Sequence, residues 1–380
     1  MPWSNETKLP FISADSHVVE PPDLWTTRLP AHLRDQAPRI ECKDDGDYYV
    51  VPGLPTHRET GFLGPMMIAK AKGEPITERT YRYTDQRPGA MDPKERLRDQ
   101  DIDSVKSAII YPNWFSIGRI PNPDLRAACM RVYNEWLTEF CAVDRTRLVG
   151  AAQLPLLECD AANIRQTIEE AHHAKKLNLG AVMMPNRVEK PYHHPCFDPL
   201  FEELQDLGMP VAVHVSTGIL VPFLTRDGGD RSGNAPIATT CKTSGLGMAT
   251  IELLWGAVPA KYPKLRFVLT EGGIGWIAYV MRFLDHWWED HRHYLQPKLD
   301  EQPSFYFHRN FWATFEDDRP GILTLPLLNE DHLMWGNDYP HTEGTFPASV
   351  QRVEEDLRDV PEATQRKLVH DNAAALYEIP

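Results

Sequence analysis

The feature that most constrains the fold of this chain is a rhythm of short apolar runs of strand type, each followed by a longer segment with helical spacing. The runs are FISAD, VKSAIIYP, RLVGAAQLP, GAVMMPN, VAVHVS, RFVLTEGG, FWATFED and HLMWGND, eight in all. Between them, PDLRAACMRVYNEWLTEFCA, CDAANIRQTIEEAHHAKKL, FDPLFEELQDLG, GMATIELLWGAVPAKYP and GWIAYVMRFLDHWWED carry apolar residues near i, i+3, i+4 and i+7, the period of an amphipathic helix. Gly or Pro precedes several runs, as in LGMPVAVHVSTG and YPKLRFVLTEGG, and so marks where a helix ends and a strand begins. Eight alternations of strand and helix predict an α/β chain folded as a distorted (β/α)8 TIM barrel. A doubly wound open sheet uses the same elements, but the first strand carries no G-x-G-x-x-G and offers no dinucleotide fingerprint.

One interval breaks the rhythm. Roughly eighty residues separate the first run from VKSAIIYP, so the reading is one domain over residues 1–380 with an insertion after strand one, at about 40–95. An insertion there sits among the loops of the catalytic end and is expected to act as a cap or lid, or else as a surface excursion or dimer contact. The net charge of −14 argues against nucleic acid as a partner. The longest apolar run, around IGWIAYVMRFL, is too short to span a bilayer, and MPWSNETKLP has no signal-peptide character, so no membrane partner and a cytoplasmic location are expected. The six cysteines form no C-x-x-C pair, and a chain of this length needs no disulfide staples, which fits a reducing compartment.

In a barrel the chemistry collects at the C-terminal ends of the strands. Strand one ends in Asp15 and His17, strand five in His214, strand six in Glu271, strand seven in Glu316 with Asp317 and Asp318, and strand eight in Asp338, with His341 beyond. Positions i and i+2 of a strand share a face, so Asp15 and His17 both point into the barrel mouth as a ligand pair. Imidazole nitrogen with carboxylate oxygen and no thiolate suits a divalent first-row metal such as Zn2+, Mn2+ or Fe2+, at a catalytic rather than a structural site. Glu271 reads either as an acid–base group or as a carboxylate that binds the backbone N–H groups of the GGIG turn. His341 reads as a group that polarises substrate or as a turn cap, and Glu20 as a support for a ligand His or a loop closure before Pro21. Trp114, Trp276 and Tyr111 are candidate walls of a pocket for an aromatic substrate, and Arg87 and Arg119 are candidate carboxylate clamps. The His pairs at 172–173 and 193–194 and the HRH at 291–293 have no carboxylate at ligand spacing and are read as solvated.

The stretches SADSHVVEPPDLW, MDPKERLRDQDIDSV, VYNEWLTEFCAVDRTRLVGAAQLPL, FDPLFEELQDLGMPVAVHVSTG, LTEGGIGWIAYVMRFLD and WGNDYPHTEGTFP resemble the amidohydrolase-related (amidohydrolase 2) family. That branch of the amidohydrolase superfamily includes aminocarboxymuconate-semialdehyde decarboxylase and several hydroxybenzoate decarboxylases. The resemblance implies that Asp15 and His17 stand where the family has its strand-one ligands, usually H-x-H or E-x-H, that His214 is the strand-five ligand, and that Asp338 binds the metal and exchanges a proton. It also implies a single Zn2+ or Mn2+, since GAVMMPN lacks the lysine that bridges two metals elsewhere in the superfamily, and it implies a homodimer or higher homo-oligomer, with DHWWEDHRHY as one possible contact surface.

The chain departs from the family pattern at Asp15 and, with more consequence, at Glu271, where the decarboxylases place a His. An anion there disfavours a substrate carboxylate and suits a base or acid beside a metal-bound water. The expected function is therefore metal-dependent hydrolysis of a small organic substrate, with Asp338 or Glu271 moving protons. The alternative is nonoxidative decarboxylation of an aromatic or enoic acid at the same metal.

Overall fold

The computed structural model describes residues 11–58, 70, 72–74, 82–219 and 241–380. Each of the eight apolar runs forms a strand. They are β1 (Phe11–Val18) and, after the small strands β2 (Arg39–Lys43), β3 (Gly46–Val50) and β4 (His57–Arg58), β5 (Val105–Pro112), β6 (Leu148–Gln153), β7 (Ala181–Pro185), β8 (Val211–His214), β9 (Phe267–Thr270), β10 (Phe311–Phe315) and β11 (Leu333–Trp335). The long strands pair in parallel in the order β1-β5-β6-β7-β8-β9-β10-β11, so each strand lies beside its successor in the chain. The ring closes where β11 exits beside β1: the Asp338 N–H donates to the Asp15 carbonyl at 2.9 Å and the His17 N–H to the Tyr339 carbonyl at 2.5 Å.

Alternation along each strand sorts its side chains between two cores. Ile12, Ala14, Ile109, Tyr111, Val149, Ala151, Ala181, Met183, Ala212, Val268 and Met334 fill the lumen. Residues of opposite parity, such as Phe11, Ile110, Val182, Val213 and Phe267, pack outward against the helices. Alanine supplies much of the lumen, which lets the strands close tightly. The helices follow the expected spacing, with Pro123–Cys141 after β5, Ala161–Lys176 after β6, Asp198–Leu207 after β7, Lys242–Trp255 after β8 and Ile277–Leu295 after β9. Two begin on side-chain caps, in which Asn122 accepts from the N–H groups of Asp124 and Leu125, and Asp160 from those of Ala162 and Asn163. Among the described residues no helix is long and apolar enough to cross a membrane.

Part of the insertion is the antiparallel sheet β2-β3-β4; residues 59–69, 71 and 75–81 lie outside the described residues. Its described parts lean on the strand ends. The Tyr49 ring meets Trp114 edge-on at 4.3 Å, and Lys70 Nζ donates to the Glu343 carbonyl at 2.6 Å in the loop after β11.

The cysteines depart from expectation, because Cys159 and Cys196 form a disulfide. Their separation of 37 residues hides the pair in sequence. They sit on the loops that leave β6 and β7, and the pairing of those strands sets the loops side by side.

Candidate metal centre

The strand ends bring Asp15, His17, His214 and Asp338 together, all fully buried. On β1 this requires a bulge. Ser13 pairs with Ala108 but Ser16 with Ile110, so three steps on β1 oppose two on β5. The parity flips between them: Ala14 faces the lumen, and Asp15 and His17 then face it too. The two serines point the other way, with their Oγ atoms 3.0 Å apart. Gly336 makes the close approach of β11 possible, since a Cβ there would lie 2.6 Å from that of Asp15. His214 reaches the centre by ordinary alternation from Ala212.

Both histidines are oriented for ligation. His17 Nδ1 lies 2.9 Å from the Pro112 carbonyl and His214 Nδ1 lies 3.0 Å from the Val215 carbonyl. A carbonyl only accepts, so each Nδ1 carries the hydrogen and each Nε2 turns its lone pair to the centre. There His17 Nε2 stands 3.1 Å from Asp338 Oδ1 and 3.5 Å from Asp15 Oδ1, and His214 Nε2 stands 3.6 Å from Asp15 Oδ1 and 3.5 Å from Glu271 Oε2. Lone pairs that face carboxylate oxygens at this range call for a positive charge between them, and two imidazoles with two carboxylates are a donor set that fits a divalent first-row ion.

The electrostatics agree. Burial, with His341 and His214 nearby, holds His17 well below the usual imidazole range and therefore neutral. Burial also lowers His214, but Asp15, Glu271 and the Val215 carbonyl outweigh it and raise its pKa. Burial together with Asp338, Asp15 and Glu271 pushes Glu316 far above the carboxylate range. Glu316 comes from the end of β10, and it groups with Asp15 and Asp338 with ligand atoms within 4.8 Å of one another. The sequence placed it at a strand end but gave no sign that it joins the centre.

Glu271, at φ 62, and His341 complete a second overlapping group with His17 and Asp338. The turn that Glu271 was a candidate to hold belongs instead to Asp318, whose Oδ2 accepts from the Ile274 N–H at 2.5 Å and the Gly275 N–H at 2.8 Å. Glu271 is thereby left facing the imidazoles. His341 stacks on His17 with ring centres 4.0 Å apart, and its Nδ1 lies 2.9 Å from Asp338 Oδ1. Tyr111 walls the centre from within the barrel, its ring 5.1 Å from that of His214. Glu20 works one step away: its Oε1 accepts from the N–H groups of Asn113 and Trp114 at 3.1 and 3.2 Å, which fixes the exit of β5 beside the carbonyl that holds His17.

The remaining candidates are placed differently. Arg87 is bound by both oxygens of Asp99, at 2.6 and 2.7 Å, so its charge is already paired and it is no clamp at the centre. Arg119 donates to the carbonyls of Gly218, at 2.8 Å, and Ser216, in the loop that leaves β8. No carboxylate among the described residues pairs with it, and burial lowers its pKa to about 10. Trp114 is buried against Trp25 and Tyr49 as part of the core, and the Trp276 indole N–H is turned to the Gly273 carbonyl at 3.1 Å. His172 and His173 pair with Glu203 and Glu135. His194 is not simply solvated, because it stands 3.2 Å from Cys159 Sγ.

This barrel, with its acid and imidazole residues gathered at the strand ends, matches the family model described as "Amidohydrolase" over residues 85–379, and the chain belongs to that family. The gamma-resorcylate decarboxylase of Rhodococcus jostii (strain RHA1) is 24% identical over 301 residues, which cover 75% of this chain and 87% of that relative. An amidohydrolase from Mycobacterium avium subsp. paratuberculosis K-10 superposes with a TM-score of 0.76 at 19% identity, over 97% of this chain and 99% of that one. A dihydroxybenzoic acid decarboxylase from Polaromonas sp. JS666, solved with bound manganese and the inhibitor 2-nitroresorcinol, gives a TM-score of 0.67 at 17% identity, over 98% of each chain. At these identities the superpositions speak to fold.

Proposed function

We propose that this chain is a metal-dependent, nonoxidative decarboxylase of a hydroxybenzoate-type acid, the alternative rather than the main sequence expectation. The observation that carries the reading is the Asp338–His341 pair, 2.9 Å apart at the edge of a four-ligand centre, in a chain whose relatives are named as decarboxylases of resorcylate and dihydroxybenzoate. Asp15, His17, His214 and Asp338 would hold one divalent ion, Mn2+ or Zn2+. When bound, that ion supplies Lewis acidity to the oxygens of the substrate.

The chain's own residues supply the rest. Arg119, a half-buried guanidinium with no carboxylate partner among the described residues, would anchor the carboxylate of an acid. Asp338 and His341 hold a proton between them and deliver it to the ring carbon that bears the carboxylate. The electrons of the breaking C–C bond then stay with the ring, CO2 leaves, and one proton from solvent restores the pair. Burial of the centre keeps water from competing for that proton. The insertion, with Tyr49 on Trp114 and Lys70 on the β11 loop, acts as the cover.

The test is incubation of Mn2+-loaded protein with a panel of hydroxybenzoates in D2O. The expected result is CO2 release with deuterium at the vacated carbon. Glu271 favours a second reading, hydrolysis of an amide or ester, because its Oε2 stands 3.5 Å from His214 Nε2 where the resemblance expects a histidine. Turnover of an amide or ester panel without CO2 from any acid would establish that second reading instead. Glu271→His is expected to keep or raise CO2 release, and loss of release would count against decarboxylation.

A further inference from the structure

At the same end of the barrel, outside the centre, lies a second cluster of ligand-type side chains. Cys159 ends the loop from β6, and His194 and Cys196 lie on the loop from β7; their two Sγ atoms and one Nδ1 fall within 4.8 Å of one another. We propose that in the reduced protein these three residues bind Zn2+, and that the disulfide is the oxidised, metal-free form of the same site.

Three observations carry this. The donors are two sulfurs and an imidazole nitrogen, a set that selects zinc over the harder ions suited to oxygen donors. His194 Nδ1 is 3.2 Å from Cys159 Sγ, so the imidazole is already turned toward sulfur. The loops also stay together without the S–S bond, because the Glu189 N–H donates to the Leu157 carbonyl at 3.0 Å and Glu189 Oε2 accepts from the Cys159 N–H at 2.9 Å. Breaking the disulfide therefore leaves the ligands in one corner, with the Glu189 carboxylate or water for the fourth position. Cys159 directly precedes the N-cap of the sixteen-residue helix Ala161–Lys176, where the helix dipole favours a thiolate.

The redox step balances as a thiol–disulfide exchange. A low-molecular-weight disulfide takes two electrons from the thiolate pair: its S–S bond breaks, the Cys159–Cys196 bond forms, two reagent thiolates leave and take up two protons from water, and the cation is released.

Cobalt(II) is the probe, with Mn2+ first loaded at the central site. That centre holds no sulfur, so a sulfur-to-cobalt charge-transfer absorption in the near ultraviolet reports the second site alone. The expected result is one such band in reduced protein, absent after oxidation and absent in Cys159→Ser and Cys196→Ser, with the manganese content unchanged. His194→Gln is expected to weaken Co2+ binding about tenfold or more. No band in the reduced protein, or a band that survives both serine variants, overturns the proposal. A measurement on the unaltered chain guards against misfolded variants: Zn2+ should protect Cys159 and Cys196 from alkylation, and equal labelling with and without Zn2+ overturns the proposal as well.

Discussion

His341 and Glu20 show how far a single residue's surroundings set its work. His341 is held by Asp338 and by the His17 ring, so an imidazolium formed there has a carboxylate at 2.9 Å to stabilise it. Loss of such a proton donor costs about 10²–10⁴ in rate, so His341→Gln should lower kcat by that order while metal content, read by elemental analysis, stays at its normal level. Glu20 is fully buried, and desolvation pushes its carboxyl up to about 7. A carboxyl raised in the fold is ionised first in the unfolded chain. Its protonation therefore favours the fold at low pH, and that contribution is lost as the pH climbs from the ordinary carboxylate value of 4.5 through 7. The full effect is about 3 kcal/mol above that window. Glu20→Gln keeps an oxygen for the two backbone N–H groups and removes the titration. Urea unfolding of chelated protein should show the variant gaining stability relative to the parent between about pH 5 and pH 8, and parallel curves would refute the assignment. The sequence showed Glu20 as a carboxylate near a ligand strand but not what it binds, because its partners are backbone groups some ninety residues away. Arg87 misled for the same reason: its charge was visible, whereas Asp99, twelve residues on, was not readable as its partner.

At the scale of elements, the barrel depends on how β11 meets β1. Asn337 Oδ1 accepts from Ser16 Oγ at 2.8 Å, from Ser13 Oγ at 3.0 Å and from the Tyr339 N–H at 3.2 Å, while its amide donates to Asp103 at 3.1 Å. Asp103 in turn accepts from the N–H and hydroxyl of Ser349. This clasp replaces regular strand pairing and pins the bulge that aims Asp15 and His17. Asn337→Leu would strand at least two buried polar groups, at about 1–3 kcal/mol each. Its urea midpoint should fall accordingly, with metal affinity falling alongside; a loss of stability at unchanged metal affinity would show that the clasp holds the fold without aiming the ligands. The eight barrel strands were legible because an apolar run between Gly or Pro signals has few alternatives, and the helices because their period is long enough to count. The bulge was not legible, since nothing in SADSH marks where alternation slips. The sheet β2-β3-β4 also escaped notice, because ECKDDGDYYVV mixes charge into short strands whose burial does not alternate. The Cys159–Cys196 pair could be found only once β6 and β7 were known to be neighbours.

For the whole molecule, the fold gathers Asp15, Glu271, Glu316 and Asp338 from β1 and the exits of β9, β10 and β11 into one buried centre in a chain of net charge −14. Such a gathering is repulsive: burial and then the neighbouring carboxylates raise the pKa of Glu316, and Asp15 and Glu271 raise that of His214 against its burial. A divalent cation relieves it and binds only the folded chain, so by mass action it stabilises the barrel by about 4 kcal/mol at a thousandfold excess over Kd. In a protein of this size that corresponds to a rise in Tm of roughly 5 °C when Mn2+ is restored to chelated protein. The increment should shrink as the pH falls, because a proton on His214, whose pKa is raised, occupies the lone pair the ion needs. It should also be smaller in Asp338→Asn, which removes a ligand and a charge while keeping the shape of the side chain. Differential scanning calorimetry with and without Mn2+, at two pH values and on the parent and variant, reads all three effects. A Tm indifferent to Mn2+ in the parent would remove the metal from the centre, and with it both the decarboxylase and the hydrolase readings of the site.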